Sequence, residues 1–313
     1  MRILVTGGAG YVGRALVARL LRESAVELHV LDNLASGEHR VRDIDLTRVT
    51  LHRVDLRDSG AVGPLMRTLA PALIYHLAAV HYIPACEAAP GDAVGINVTG
   101  TVNLLHAAID RPRFVFASTA AVYSPSEQPH EESGGGIGPV DIYGITKLQA
   151  ERYVEYFHRL DRVDAVVVRL FNVIGPGETN PHLVPAIIRQ ISRGERKVML
   201  GNLFPRRDYI HVEDAAEGFV RLARAPGGRP TPAVSNLGTG QSFSVREIVD
   251  KIADAAAVDL QIEQDPTRVR TNDRPLLCAS TQLLRALTGW QPGTSVTDSL
   301  RAAWNSRAAD GFV

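Results

Sequence analysis

Tyr143 and Lys147 stand four residues apart in the segment DIYGITK, residues 141–147. On a helix such a pair projects from one face, one side chain above the other. An ammonium group beside a phenol stabilises the phenolate, so the tyrosine is expected to exchange a proton near neutral pH. That makes a general acid/base suited to a sugar or alcohol hydroxyl. The same spacing also occurs on surface helices where it does no chemistry, so the elements around it must decide. Thr119, in STAAVYS (118–124), offers a hydroxyl that can hydrogen-bond a substrate oxygen together with Tyr143.

A site of this kind needs a frame, and the first thirty residues supply one. RILVT (2–6) predicts a short buried strand; GGAGYVG (7–13) follows at once, and Val12, Ala15, Leu16 and Leu20 then recur at helical spacing. Strand, glycine-rich turn and helix is the context that a dinucleotide fingerprint requires. Gly7 and Gly10 let the backbone turn and approach a pyrophosphate at the helix N-terminus beside Tyr11 and Val12, and Gly13 lets the helix lie close to the sheet. A second strand, 27–31, ends at Asp32. A carboxylate there accepts ribose hydroxyls and repels a 2′-phosphate, so NAD is expected over NADP.

Further strands are predicted over 49–54, 73–77, 113–118 and 165–171, with helical patterns between them, including 90–108 around Asn97. This alternation predicts an α/β, doubly wound parallel sheet of the Rossmann type with helices on both faces. Ligands of such sheets bind beyond the carboxyl ends of the strands. Gly10, Asp32, Asn33, Asp55-Leu56, the HLAA segment with Leu77, Ala78 and Ala79, and Thr119 are thereby placed on one rim. The loop 125–139 carries SGGGIG and several prolines, and reads as either a cover over the site or an inert surface loop.

After residue 173 the segments shorten and become richer in arginine, glycine and proline. The expected division is a nucleotide-binding domain over 1–173, to which 209–238 returns, and a smaller α/β substrate lobe over 174–313. Ser244 and Glu247 predict a capping box ahead of an apolar helix.

The 313 residues carry 34 basic and 34 acidic side chains, so no broad field draws the chain to nucleic acid or membrane. An anionic substrate must then be held by a local arginine cluster. Two cysteines, Cys86 and Cys278, make no disulfide framework or zinc spacing, so no metal is expected. No run approaches a membrane span and the start shows no secretory pattern; the expected setting is the cytoplasm.

Taken in order, TGGAGYVG, LDNL, HLAA, Asn97, STAAVY, YGITK, RLFNVIGP, RDYIHVEDA and TGW resemble the extended short-chain dehydrogenase/reductase family, in its nucleotide-sugar epimerase/dehydratase branch, over nearly the whole chain. The UDP-galactose 4-epimerase group shares the DNL, FN and RDYIHV segments. The resemblance implies that Tyr143 is the acid/base, that Lys147 lowers its pKa and holds the nicotinamide ribose, and that Thr119 takes the Ser/Thr place. Asn97 falls among the cofactor residues. It further implies that Asn172 and Arg207 meet the substrate diphosphate, that Arg270 with Asp273 grips phosphate and ribose, and that His182 and Leu183 lie beside the nucleobase. His81 stands where the 4-epimerases usually have lysine; it reads as a phosphate or sugar contact or as a packed histidine. LGNLFP (200–205) resembles the GDP-sugar relatives, so uracil and guanine both stay open. The implied activity is a redox-neutral, NAD-dependent epimerisation, at C4, in a homodimer. The alternatives are a 4-ketoreductase with the same residues and a non-catalytic NAD-binding regulator.

Overall fold

Alternation along each short apolar strand builds the frame. In a computed structural model that describes residues 1–35, 37, 44–133, 136–269 and 273–312, seven strands form one sheet: β1 (Arg2–Thr6), β2 (Glu27–Leu31), β3 (Val49–His52), β4 (Leu73–His76), β5 (Arg113–Thr119), β6 (Asp164–Leu170) and, late in the chain, Ala233–Leu237. Every neighbouring pair is parallel. Ile3 and Val5 enter one core with the helices Tyr11–Leu20 and Val212–Arg224, while Leu4 between them enters the core on the opposite face. Val166 and Val168 against Ala165 and Val167 repeat the pattern. A period of two with both faces buried is what helices on both sides of a parallel sheet demand.

The chain builds from β1 outward through β2 and β3, then returns to lay β4, β5, β6 and Ala233–Leu237 on the other side of β1. The order thus reverses between β1 and β4, where a crevice opens past the strand ends. Helix Ile142–Arg159, which carries Tyr143 and Lys147, packs Ala150 and Val154 against this sheet.

The remaining strands are β7 (Asn172–Ile174), β8 (Lys197–Leu200), β9 (Arg206–His211), β10 as we number Ala233–Leu237, β11 (Ser242–Ser244), β12 (Gln261–Gln264) and β13 (Leu276–Leu277). β9 pairs with β7, β11 and β13, and β12 pairs with β8. A separate core of Ile187, Ile191, Val198, Ile248, Ile252 and Leu300 lies beneath them. The Ser244–Glu247 capping box is present at helix Val245–Ala256. Within 209–238, helix Val212–Arg224 and β10 lie with the large sheet; β9 does not. Its pairing with β7 draws it away, a long-range match that local pattern does not reveal.

Two expectations change. Strand β3 stops at His52, two residues short of the predicted end. The described part of the 125–139 loop lines no part of the crevice, and it is anchored at His130. His130 is buried and stacked on Tyr123, its amide bonds the Cys278 carbonyl at 2.8 Å, and Asn236 Nδ2 donates to its carbonyl at 2.8 Å. Both cysteines are free and buried. Among the described residues no helix is long and apolar enough to cross a membrane, and no cluster of side chains would hold a metal ion.

Candidate active site

Gly7 adopts φ +70°, and a Cβ there would lie 2.6 Å from the Ala78 amide nitrogen. Only glycine lets the first turn press against the HLAA segment in this way. A Cβ on Gly13 would meet the Gly7 carbonyl oxygen at 2.1 Å, so the helix start sits directly on the turn. Gly10 is the N-cap and brings no capping side chain, which leaves the amides of the first turn facing the crevice. Unpaired amides at a helix N-terminus favour an anion. Asp32, at the end of β2, takes the Ala9 amide on one carboxylate oxygen at 3.0 Å and the Leu34 amide on the other at 2.9 Å. Those bonds orient the carboxylate toward the crevice and leave further lone pairs for ribose hydroxyls. These residues fit a dinucleotide.

The cleft between the large sheet and the smaller lobe has a volume of about 1490 Å³. It gathers Gly7, Gly10, Tyr11, Val12, Gly13, Asp32, Asn33, Asp55, Leu56, Leu77, Ala78 and Ala79 along one side, and Thr119, Tyr143 and Lys147 at the centre. Asn172, His182, Leu183, Arg207 and Asp273 face them. Arg270 lies outside the described residues.

Asn97 is the exception. It is fully buried behind the wall, on a π-helical stretch Gly95–Gly100 that interrupts the predicted helix. Its amide oxygen accepts the Val80 amide at 2.8 Å, and its nitrogen donates to the Val80 carbonyl at 3.0 Å and to Thr146 Oγ1 at 3.0 Å. Its bonds tie the strand-end loop to the Tyr143 helix rather than reaching into the cleft. The wider π turn places it there, which a plain helical pattern does not anticipate.

At the centre, burial acts on the two titratable groups in opposite directions. Tyr143 is raised well above the usual phenol range by burial; the hydrogen bond with the Thr119 hydroxyl pulls it down, and Cys86 and Asp141 push it up. Lys147 is pushed down to about 7 by burial, with Glu151 opposing. The lysine ammonium lies 4.1 Å from the centre of the Phe116 ring. The neighbour whose hydrogen bond favours the phenolate is Thr119. Burial removes the water that ionises both groups.

Behind them stands a network that sequence spacing left unnoticed. Glu151, one turn past Lys147, accepts from Arg169 at 3.1 and 2.8 Å and from the Ser118 hydroxyl at 2.5 Å. Arg169 also reaches the Tyr123 hydroxyl at 3.2 Å. The signal was present as Tyr-x₃-Lys-x₃-Glu, three residues along one helix face. His76, pulled down to about 3 by burial, is neutral and bonded to Thr6 and Thr101.

On the opposite wall Arg207 pairs with Asp273 at 2.5 Å, and Asn202 donates to Asp273 at 3.1 Å. His81 is exposed in the cleft, 3.0 Å from Asn180, and meets the His182 ring edge-on at 5.8 Å between centres, so the packed-histidine reading is set aside.

A model of the NAD dependent epimerase/dehydratase family matches residues 3–238. The chain belongs to that family. Within it, the chain is 31% identical to GDP-6-deoxy-D-mannose reductase of Pseudomonas aeruginosa, with 99% of each chain covered. It is 32% identical to UDP-glucose 4-epimerase of Halalkalibacterium halodurans, covering 97% of this chain and 95% of that one. Among solved structures, Thermus thermophilus UDP-glucose 4-epimerase in complex with NAD superposes with a TM-score of 0.86 at 28% identity, covering 98% of each chain. NAD, the cofactor of this family, agrees with the glycine turn and with Asp32.

Proposed function

We propose that this protein is an NAD-dependent nucleotide-sugar epimerase that inverts C4 through a transient 4-keto sugar. The observation that carries the reading is the Thr119–Tyr143–Lys147 set in one cleft with a dinucleotide cradle and an arginine-lined far wall. NAD, when bound, supplies hydride acceptance and return at the sugar carbon. Tyr143 takes the hydroxyl proton and later gives it back, Thr119 holds the same oxygen, and Lys147 holds the nicotinamide ribose. Arg207 and Asn172 hold the diphosphate end, His182 and Leu183 flank the base, and Asp273 serves through its pair with Arg207. Asn97 acts as a support. We divide the chain at about residue 173, with 212–238 returning to the nucleotide-binding part.

Nothing beside Thr119 favours dehydration. Loss of water needs one group to remove the C5 proton and another to protonate the departing C6 hydroxyl, and Ala120 and Ala121 follow the threonine. The expected product is therefore isomeric with its substrate and forms without added cofactor. A panel of UDP-, GDP-, dTDP- and CDP-sugars read by NMR and mass spectrometry tests this. A product lighter by one water overturns it. A gain of two hydrogens supports the 4-ketoreductase reading, which the Pseudomonas aeruginosa relative favours.

NAD should bind more tightly than NADP by tenfold or more. Hydrogen bonds to a charged acceptor are each worth about 1.5–3 kcal/mol, and Asp32 also repels a 2′-phosphate. Equal affinities in a direct titration would remove Asp32 from this role.

A cytoplasmic homodimer completes the reading. Ile145, Tyr153, Tyr156 and Leu160 are 39–54% exposed and share one side of the Tyr143 helix, with Val94 exposed nearby in sequence to Asn97. A second copy covering this face would bury it.

A further inference from the structure

We propose that Arg274 is a positioning residue through which the grip on the nucleotide diphosphate aligns Tyr143 and Thr119. The proposal rests on the reading above, in which Arg207 meets the diphosphate.

Arg274 belongs to the smaller lobe's segment, yet its side chain ends at the catalytic helix. Nη1 donates to Asp141 Oδ2 at 3.0 Å, and Nη2 donates to the Ala121 carbonyl at 2.9 Å. Asp141 is the N-cap of helix Ile142–Arg159, and its other oxygen accepts the Gly144 amide at 2.7 Å. Tyr143 lies between those two residues. On the second branch, the Ala121 amide donates to Thr119 Oγ1 at 3.1 Å, and Thr119 in turn hydrogen-bonds Tyr143. One guanidinium thus holds both the first turn under Tyr143 and the loop under Thr119. The two are already in close contact, since a Cβ on Gly144 would lie 2.4 Å from the Ala121 carbonyl oxygen.

The other end of Arg274 is held from the substrate side. Arg207 Nη1 donates to the Arg274 carbonyl at 2.8 Å, while its Nη2 holds the neighbouring Asp273. A displacement of Arg207 on meeting phosphate therefore reaches the Arg274 backbone directly. From there it passes through two fork-shaped bonds to the acid/base pair. Side-chain exposures of 7% and 10% at Arg274 and Asp141 keep water from loosening the link. Stability alone is a poor reason for the arrangement. A buried ion pair is weak evidence for stability, and Arg274 Nε has no hydrogen-bond partner among the described residues. Binding energy from the remote end of a substrate is most useful when spent at the reacting carbon, and this is a path for it.

The test compares wild type with Arg274→Gln, with Arg274→Lys, and with the pair Asp141→Asn/Arg274→Gln, which leaves no unpaired buried charge if the single variant folds poorly. Hydrogen–deuterium exchange with UDP and with GDP reads the link without turnover. In wild type, nucleotide should slow exchange over residues 119–123 and 141–147; in the glutamine variants that protection should disappear while nucleotide still binds. With the sugar nucleotide that wild type turns over, kcat should fall about 10²-fold, as small misplacements do, with KM within threefold. Lysine should restore only part of it, because it lacks the fork. No protection in wild type, or protection that survives in the variants, overturns the relay. So does a kcat within twofold of wild type. Failure of the reaction assignment would show separately, as protection without turnover of any sugar nucleotide.

Discussion

Replacing Tyr143 with phenylalanine is expected to lower kcat by about 10²–10⁴-fold, the usual share of a positioned acid/base. NAD affinity and folding should change little, because the ring keeps its place and only the hydroxyl bonded to Thr119 is lost. Near wild-type turnover in Tyr143→Phe would remove the tyrosine from the chemistry. The wild-type pH profile carries a linked expectation. Burial raises the phenol, so at neutral pH most of it is protonated, and the ionised fraction grows as pH rises. Oxidation of the sugar hydroxyl needs that ionised fraction, so with NAD kept saturating as Lys147 loses its proton the rate should climb through the mildly alkaline range and fall with acidification. A rate that is flat from pH 6 to 9 would mean that another group sets the proton transfer.

The largest stability effect is expected at Glu151. Its carboxylate and the Arg169 guanidinium have side-chain exposures of 8% and 7%. Glu151→Ala leaves that cation buried beside the Tyr123 hydroxyl and deprives Ser118 of its acceptor. Breaking a buried pair from one side costs about 3–5 kcal/mol. The denaturant midpoint should fall accordingly with an unchanged slope. Replacing both partners with apolar residues of similar volume, as in Glu151→Leu/Arg169→Met, should recover much of the loss. A single variant within 1 kcal/mol of wild type would show that water reaches the pair.

The Lys147 environment ties these two results together. Glu151 is the charge that opposes burial at Lys147, so its removal should also push the lysine further down. The Glu151 variant should then lose cofactor affinity at a pH where wild type holds it, which separates this network from the Tyr143 substitution.

What the amino-acid order determined by itself is the part set by short-range rules. The period-two apolar runs demanded a buried parallel sheet. The glycines of GGAGYVG demanded a close turn, and Gly7 at positive φ and Gly13 on the Gly7 carbonyl show why no other residue would serve. The four-residue step from Tyr143 to Lys147 put both on one helix face, and Asp32 followed the second strand at the rim of the cleft. Tertiary structure decided what depends on partners distant in the chain. Asp32 owes its aim in part to Ala9, and Glu151 its charge balance to Arg169. Asn97 became a support because a π turn swings it toward Val80 and Thr146. Arg274, one of several arginines in a turn-rich stretch, became a brace because the fold carries residue 274 to Asp141. Burial, too, is a property of the assembled fold. It raised the tyrosine and lowered the lysine, which spacing along one helix does not reveal.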